Sequence, residues 1–91
     1  DVLLIGSNDL CTEMGIPGQL NHPMLREAYQ RAAAACDAHG KMLGVGGIRG
    51  DIALQTELLR LGARFIISGS DVTFLLNAAK KDVAGLRALA L

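Results

Sequence analysis

Apolar residues in this chain come as short uninterrupted runs, separated by stretches in which they recur at three- and four-residue steps. The first run, Val2-Leu3-Leu4-Ile5, ends at Gly6 and lacks the alternation of a strand with one wet face. It predicts a strand buried on both faces of a parallel sheet. Ser7 to His22, containing Gly15, Pro17, Gly18 and Asn21, reads as a loop. Pro23 suits the first turn of a helix, with Asn21 or His22 as its cap. Leu25, Ala28, Tyr29, Ala32 and Cys36 then form one apolar helix face. Gly40 stands where a left-handed residue stops a helix.

The pattern repeats twice. Met42 to Ile48 predicts a second strand, interrupted by Gly44, Gly46 and Gly47. Asp51 caps a helix carrying Ile52, Leu54, Leu58 and Leu61, which Gly62 ends. Arg64 to Ser68 predicts the third strand. Asp71 then caps a last helix, Val72 to about Leu89, with Leu75, Ala79, Val83 and Leu86 along it. Strands alternating with helices of this length imply parallel pairing through right-handed crossovers. An open doubly wound sheet and an eight-fold barrel both fit, and both place ligands at the carboxyl ends of the strands. Gly6 to Asp9, Gly46 to Arg49 and Ser68 to Asp71 all fall at such ends.

Composition narrows this picture. With 91 residues the chain is too short for a whole barrel, yet 51% of them are apolar and few are aromatic. That balance points to surfaces meant to pack on something outside the chain. Nine basic residues match nine acidic ones, which leaves no footprint for nucleic acid. No apolar run nears the ~18 residues of a membrane span, and Asp1-Val2-Leu3 does not resemble a signal peptide. Cys11 and Cys36 have neither zinc spacing nor a CxxC pattern and read as small buried hydrophobes suited to a reducing cytoplasm.

Few segments carry chemistry. At Gly6-Ser7-Asn8-Asp9 the glycine turns the backbone off the strand, and a carboxylate stands at its mouth. Asp9 there either holds a hard cation or caps the turn that begins at Leu10. Gly44-Val45-Gly46-Gly47 lacks the order of a phosphate loop and suits relief of crowding or close backbone approach. Gly69-Ser70-Asp71 entering a helix reads as capping by Asp71, with an anion site as the alternative. His22 belongs to a helix entry, His39 to a helix end, and Glu13 to a solvated loop.

Together, Asp1 to Leu10, Met14-Gly15-Ile16-Pro17-Gly18 and His22-Pro23 resemble the HpcH/HpaI aldolase family, whose pattern is a strand ending I-G-x-x-D-L, a loop with M-G or L-G, and H-P opening a helix. Gly62-Ala63-Arg64-Phe65-Ile66 and Ser68-Gly69-Ser70-Asp71 resemble its final strand and last helix start. The resemblance implies an α/β fold in which residues 1–91 are the last three βα units of a (β/α)8 TIM barrel, the C-terminal part of a single aldolase domain. It implies reversible aldol cleavage of 4-hydroxy-2-oxo acids, with pyruvate or a related 2-oxo acid as the enolate partner and an aldehyde as the other. A divalent metal (magnesium, manganese or cobalt) is implied as cofactor and a homo-oligomer as the assembly. By position, Asp9 resembles a metal carboxylate, and Asn8 and Asp9 match residues whose amides hold the substrate carboxylate. Ser7 stands where many relatives have proline, and Cys11 replaces the commoner serine. The family's other metal ligand, its arginine and its histidine–aspartate pair would precede Asp1, so no catalytic residue is assigned within this chain. The alternatives are a non-catalytic packing or assembly module and a flavodoxin-like small-ligand binder.

Overall fold

The computed structural model describes residues 1–90. Its elements in chain order are β1 (Val2–Gly6), α1 (Ser7–Glu13), α2 (Pro23–Ala38), β2 (Met42–Gly46), α3 (Ile52–Leu61), β3 (Ala63–Ile66) and α4 (Asp71–Arg87). The strands form one parallel sheet in the order β1-β2-β3. Val2 pairs with Met42 and the register holds through Gly6 and Gly46. Between β2 and β3 it shifts once, from Leu43–Ala63 to Gly44–Phe65.

One face of the sheet is covered. Leu43, Val45 and Ala63 join Leu25, Tyr29 and Cys36 of α2 and Leu54 and Leu58 of α3 in a single buried cluster. Each buried leucine is worth about 1.5–3 kcal/mol, so this cluster outweighs the exposed Arg26–Glu57 ion pair that bridges α2 and α3 at 3.0 Å, worth ~0–1 kcal/mol. The opposite face is bare. Val2, Leu4, Phe65 and Ile67 are about half exposed there, so the expected two-sided burial holds for β2 and not for β1. Gly44 lies among them, and an added Cβ would stand 3.0 Å from Val2 Cγ1, 3.1 Å from Leu4 Cδ1 and 3.3 Å from Phe65 Cδ1. Crowding relief is therefore the role of that glycine.

Other expectations need correction. The segment after Gly6 is not all loop, because Ser7–Glu13 forms α1. Its seven residues are too few to display a helical period, and Ser-Asn-Asp reads as turn material. The helix is held by burial of Ser7 and Cys11 one turn apart, by Thr12 Oγ1 donating to the Asn8 carbonyl at 3.0 Å, and by Asp9 as an acid in the first turn. The second strand stops at Gly46, since Gly47 turns the chain with φ +78°. The third begins at Ala63 and ends at Ile66. Ile52 is exposed, leaving Leu54 and Leu58 as the buried face of α3. Asp51 caps α3 as expected, accepting from the Leu54 amide at 2.9 Å. His22 is the cap of α2, its Nδ1 accepting from the Met24 amide at 3.1 Å. Ser70 and not Asp71 caps α4. The Ser70 hydroxyl accepts from the Thr73 amide, while Asp71 Oδ1 accepts from the adjoining Val72 amide at 2.8 Å. Unlike the other helices, α4 has no buried residue.

Candidate functional site

Parallel pairing carries the carboxyl ends of β1, β2 and β3 to one edge of the sheet, and the loops beyond them meet in a cleft of about 360 Å³. Asn8, Gly47, Arg49, Gly69, Ser70 and Thr73 line it, so all three chemistry-bearing segments contribute. Two glycines hold it open. An added Cβ at Gly47 would lie 2.7 Å from Asn8 Nδ2, and one at Gly69 (φ +157°) would lie 2.6 Å from an Arg49 guanidinium nitrogen and 3.0 Å from the Phe74 ring. The Arg49 guanidinium carbon sits 4.6 Å from the centre of the Phe74 ring, a cation–π distance.

Asn8 and Asp9 occupy the first turn of α1, which begins without a side-chain cap. Their amides point along the helix axis toward the strand-end side, where intrahelical partners are lacking. Asp9 is exposed, next in the chain to cleft-lining Asn8, and its Oδ2 is 3.5 Å from the position of an added Gly6 Cβ. An alanine at Gly6 would meet this carboxylate at ordinary van der Waals contact. No group of three or more His, Cys, Asp or Glu side chains converges among the described residues. Asp9 offers one hard oxygen donor of the several that a divalent cation takes.

Behind the cleft, the Ser7 hydroxyl meets the Tyr29 hydroxyl at 2.6 Å with both side chains buried. Burial pushes the Tyr29 phenol above its ordinary value, as does the neighbouring Cys11, while the Ser7 hydrogen bond opposes the rise. Cys11 is fully buried, with Sγ 3.8 Å from the Gln19 carbonyl, and Cys36 belongs to the core. Both cysteines are packing residues, as the sequence predicts. His39 ends α2 and Glu13 ends α1, both exposed and outside the cleft. A separate cleft of about 490 Å³, lined by Cys36, Lys41 and Gly62 among others, lies where β2 and β3 begin. That is the end away from the sites typical of parallel α/β folds. Sequence reasoning placed Arg49 at a strand end without giving it a role, and gave Phe74 none in the site. A lone arginine following Gly-Gly-Ile has no motif, and only its place at a strand end marks it.

The pattern that defines the HpcH/HpaI aldolase/citrate lyase family matches residues 1–78. The chain belongs to the HpcH/HpaI family. It is 36% identical over its whole length to 4-hydroxy-4-methyl-2-oxoglutarate aldolase of Hapsidospora irregularis, of which it covers 34%. It is 35% identical to 4-hydroxy-2-oxo-heptane-1,7-dioate aldolase of Salmonella arizonae, over 88% of this chain and 30% of that one. The HpcH/HpaI aldolase of Desulfitobacterium hafniense superposes on 99% of it with a TM-score of 0.81 at 29% identity. A family member from Burkholderia cenocepacia superposes on 97% with a TM-score of 0.82 at 30% identity. The chain spans about a third of the length of these HpcH/HpaI proteins. No helix among the described residues is long and apolar enough to cross a membrane.

Proposed function

We propose that this chain is the C-terminal part of a single TIM-barrel domain, the last three βα units of a (β/α)8 barrel, in a metal-dependent cytoplasmic aldolase. The observation that carries the reading is the strand-end constellation itself. An uncapped α1 first turn presents the Asn8 and Asp9 amides with an exposed carboxylate, at the edge where Gly47, Arg49 and Gly69 converge. The bare sheet face of Val2, Leu4 and Phe65 around Gly44 supports a barrel, in which such side chains fill the interior.

The reaction is cleavage or formation of 4-hydroxy-2-oxo acids. In cleavage the bond between C3 and C4 breaks, the C4 hydroxyl gives up its proton to a base and becomes the carbonyl of the released aldehyde or ketone. The electron pair stays with the pyruvate part as its enolate, which then takes a proton at C3. A divalent cation (magnesium, manganese or cobalt), when bound, supplies the positive charge that favours this enolate. Asp9 is the residue of this chain that would hold it. The amides of Asn8 and Asp9 bind the carboxylate of the 2-oxo acid and fix its orientation. Groups that move the proton lie outside this chain.

Both relatives' names denote dicarboxylic 4-hydroxy-2-oxo acids, and that substrate class is proposed here too. The test uses the complete protein with 4-hydroxy-4-methyl-2-oxoglutarate and 4-hydroxy-2-oxoheptanedioate, following pyruvate through lactate dehydrogenase. Release with added manganese, magnesium or cobalt and its loss with a chelator are expected. No pyruvate from either compound with any of the three metals would overturn the reading.

A further inference from the structure

Arg49 is the one cationic side chain lining the strand-end cleft, and no acidic side chain lines it. Among the described residues the only ion pair is Arg26–Glu57, so no carboxylate neutralises the Arg49 guanidinium. Yet the group is held in place. Its guanidinium carbon lies over the Phe74 ring, 4.6 Å from the centre, and Gly69 leaves the space one guanidinium nitrogen occupies. A guanidinium held over an aromatic ring still has N–H groups free to donate, and their fork matches the two oxygens of a carboxylate. The hydroxyls of Ser70 and Thr73 and the Asn8 amide supply further donors around the same space. Asn8 of the α1 first turn lines the cleft and Asp9, the next residue, does not, so the cleft meets the enolate end at Asn8 and extends from there toward Arg49 and Thr73.

We propose that Arg49 determines specificity for the second reaction partner by binding a carboxylate carried by the aldehyde or ketone that leaves or adds at C4. This rests on the aldolase reading above and adds to it a residue and a charge requirement. Phe74 and Gly69 position the guanidinium, and a neutral acceptor leaves it unpaired. Lysine at this position keeps the charge but loses the fork.

The experiment measures aldol addition of pyruvate by the complete protein with manganese, using 4-oxobutanoate and butanal as four-carbon acceptors with and without a carboxylate. Exchange of the pyruvate methyl protons in deuterium oxide, read by NMR, reports enolate formation with no acceptor present. The wild type is expected to favour 4-oxobutanoate. Arg49→Gln should lower kcat/KM for it by ~10–100-fold, mostly through KM, while butanal changes by less than about threefold. Arg49→Lys should recover part of the loss, and methyl-proton exchange should stay at the wild-type rate in both variants. Equal losses with both acceptors, or none, would overturn the proposal, as would a wild type that does not discriminate. That last measurement decides even where a variant does not fold. A wild type that exchanges no pyruvate protons would overturn the aldolase reading and this proposal with it, whereas normal exchange with indifferent Arg49 variants overturns this proposal alone.

Discussion

The Ser7 hydroxyl lies 2.6 Å from the Tyr29 hydroxyl, and the two side chains are 0% and 1% exposed. This bond ties the first residue after β1 to the middle of α2, and so anchors the turn that presents Asn8 and Asp9.

Removing either partner leaves the other buried and unsatisfied. Tyr29→Phe and Ser7→Ala are each expected to cost ~1–3 kcal/mol in the complete protein. The double variant should cost less than the sum, because neither hydroxyl then remains orphaned. Additive losses in chemical denaturation would show that the bond contributes nothing. The raised Tyr29 phenol also sets a pH window. Below the unfolded-state value near ~10 tyrosine is neutral in both states, and stability is unaffected. Above it the unfolded chain ionises first, so stability falls as pH rises from ~10 toward the higher folded value. Tyr29→Phe should remove that slope in a series of melting temperatures, and an unchanged slope would refute it.

Gly44 carries a packing prediction. Its Cβ position is crowded by the ends of Val2 and Leu4 and by the Phe65 ring, all side chains that can give a few tenths of an ångström. Gly44→Ala should therefore stay within about 1 kcal/mol of wild type, since lost unfolded-state freedom offsets the squeeze. Gly44→Val should cost ~1–3 kcal/mol by overpacking. Equal stabilities by urea titration would mean that this face has more room than its geometry implies.

The fold was legible wherever local signals agreed. Asp51, Gly40 and Gly62 punctuate helices as their residue types dictate, with φ of +63° and +121° at the two glycines. The first strand was legible because an unbroken aliphatic run as short as Val2 to Ile5 has few other uses. Legibility failed where competing local bonds decide. Ser70 takes the cap position one residue before Asp71 because its hydroxyl reaches the Thr73 amide, while Asp71 bonds the next amide in the chain. The α1 helix was missed because its decisive contact, Ser7 to Tyr29, spans 22 residues. Asp9 was visible through its motif, whereas Arg49 was not. The place of Arg49 depends on an aromatic 25 positions away and on a glycine that makes room for it.

The α4 helix leaves Leu75 72% and Leu86 67% exposed, with Val72, Ala79 and Val83 near the same side by helical spacing. An apolar stripe of this kind is costly in water, and we propose that in the complete protein it meets a second subunit. Leu75→Arg with Leu86→Arg should then lower the mass seen by light scattering at micromolar concentration, with methyl-proton exchange as the check on folding. A wild type that is already monomeric, or an oligomer untouched by the double change, would contradict this.

Asp9→Asn tests the metal assignment most directly, because it preserves size and removes only charge. Losing a first-turn acid from α1 costs about 0.3–1 kcal/mol of helix stability, too little to explain a large loss of activity. If Asp9 is a metal ligand, manganese affinity should weaken, and kcat/KM at limiting metal should fall by ~100-fold or more. Excess manganese should recover part of that loss, as weakened binding requires and misfolding would not permit. Manganese affinity measured by electron paramagnetic resonance, together with the melting temperature, separates the two. Full activity of the variant at limiting metal would remove Asp9 from the ligand set, and lowered activity with unchanged affinity would limit it to orienting substrate through its amide.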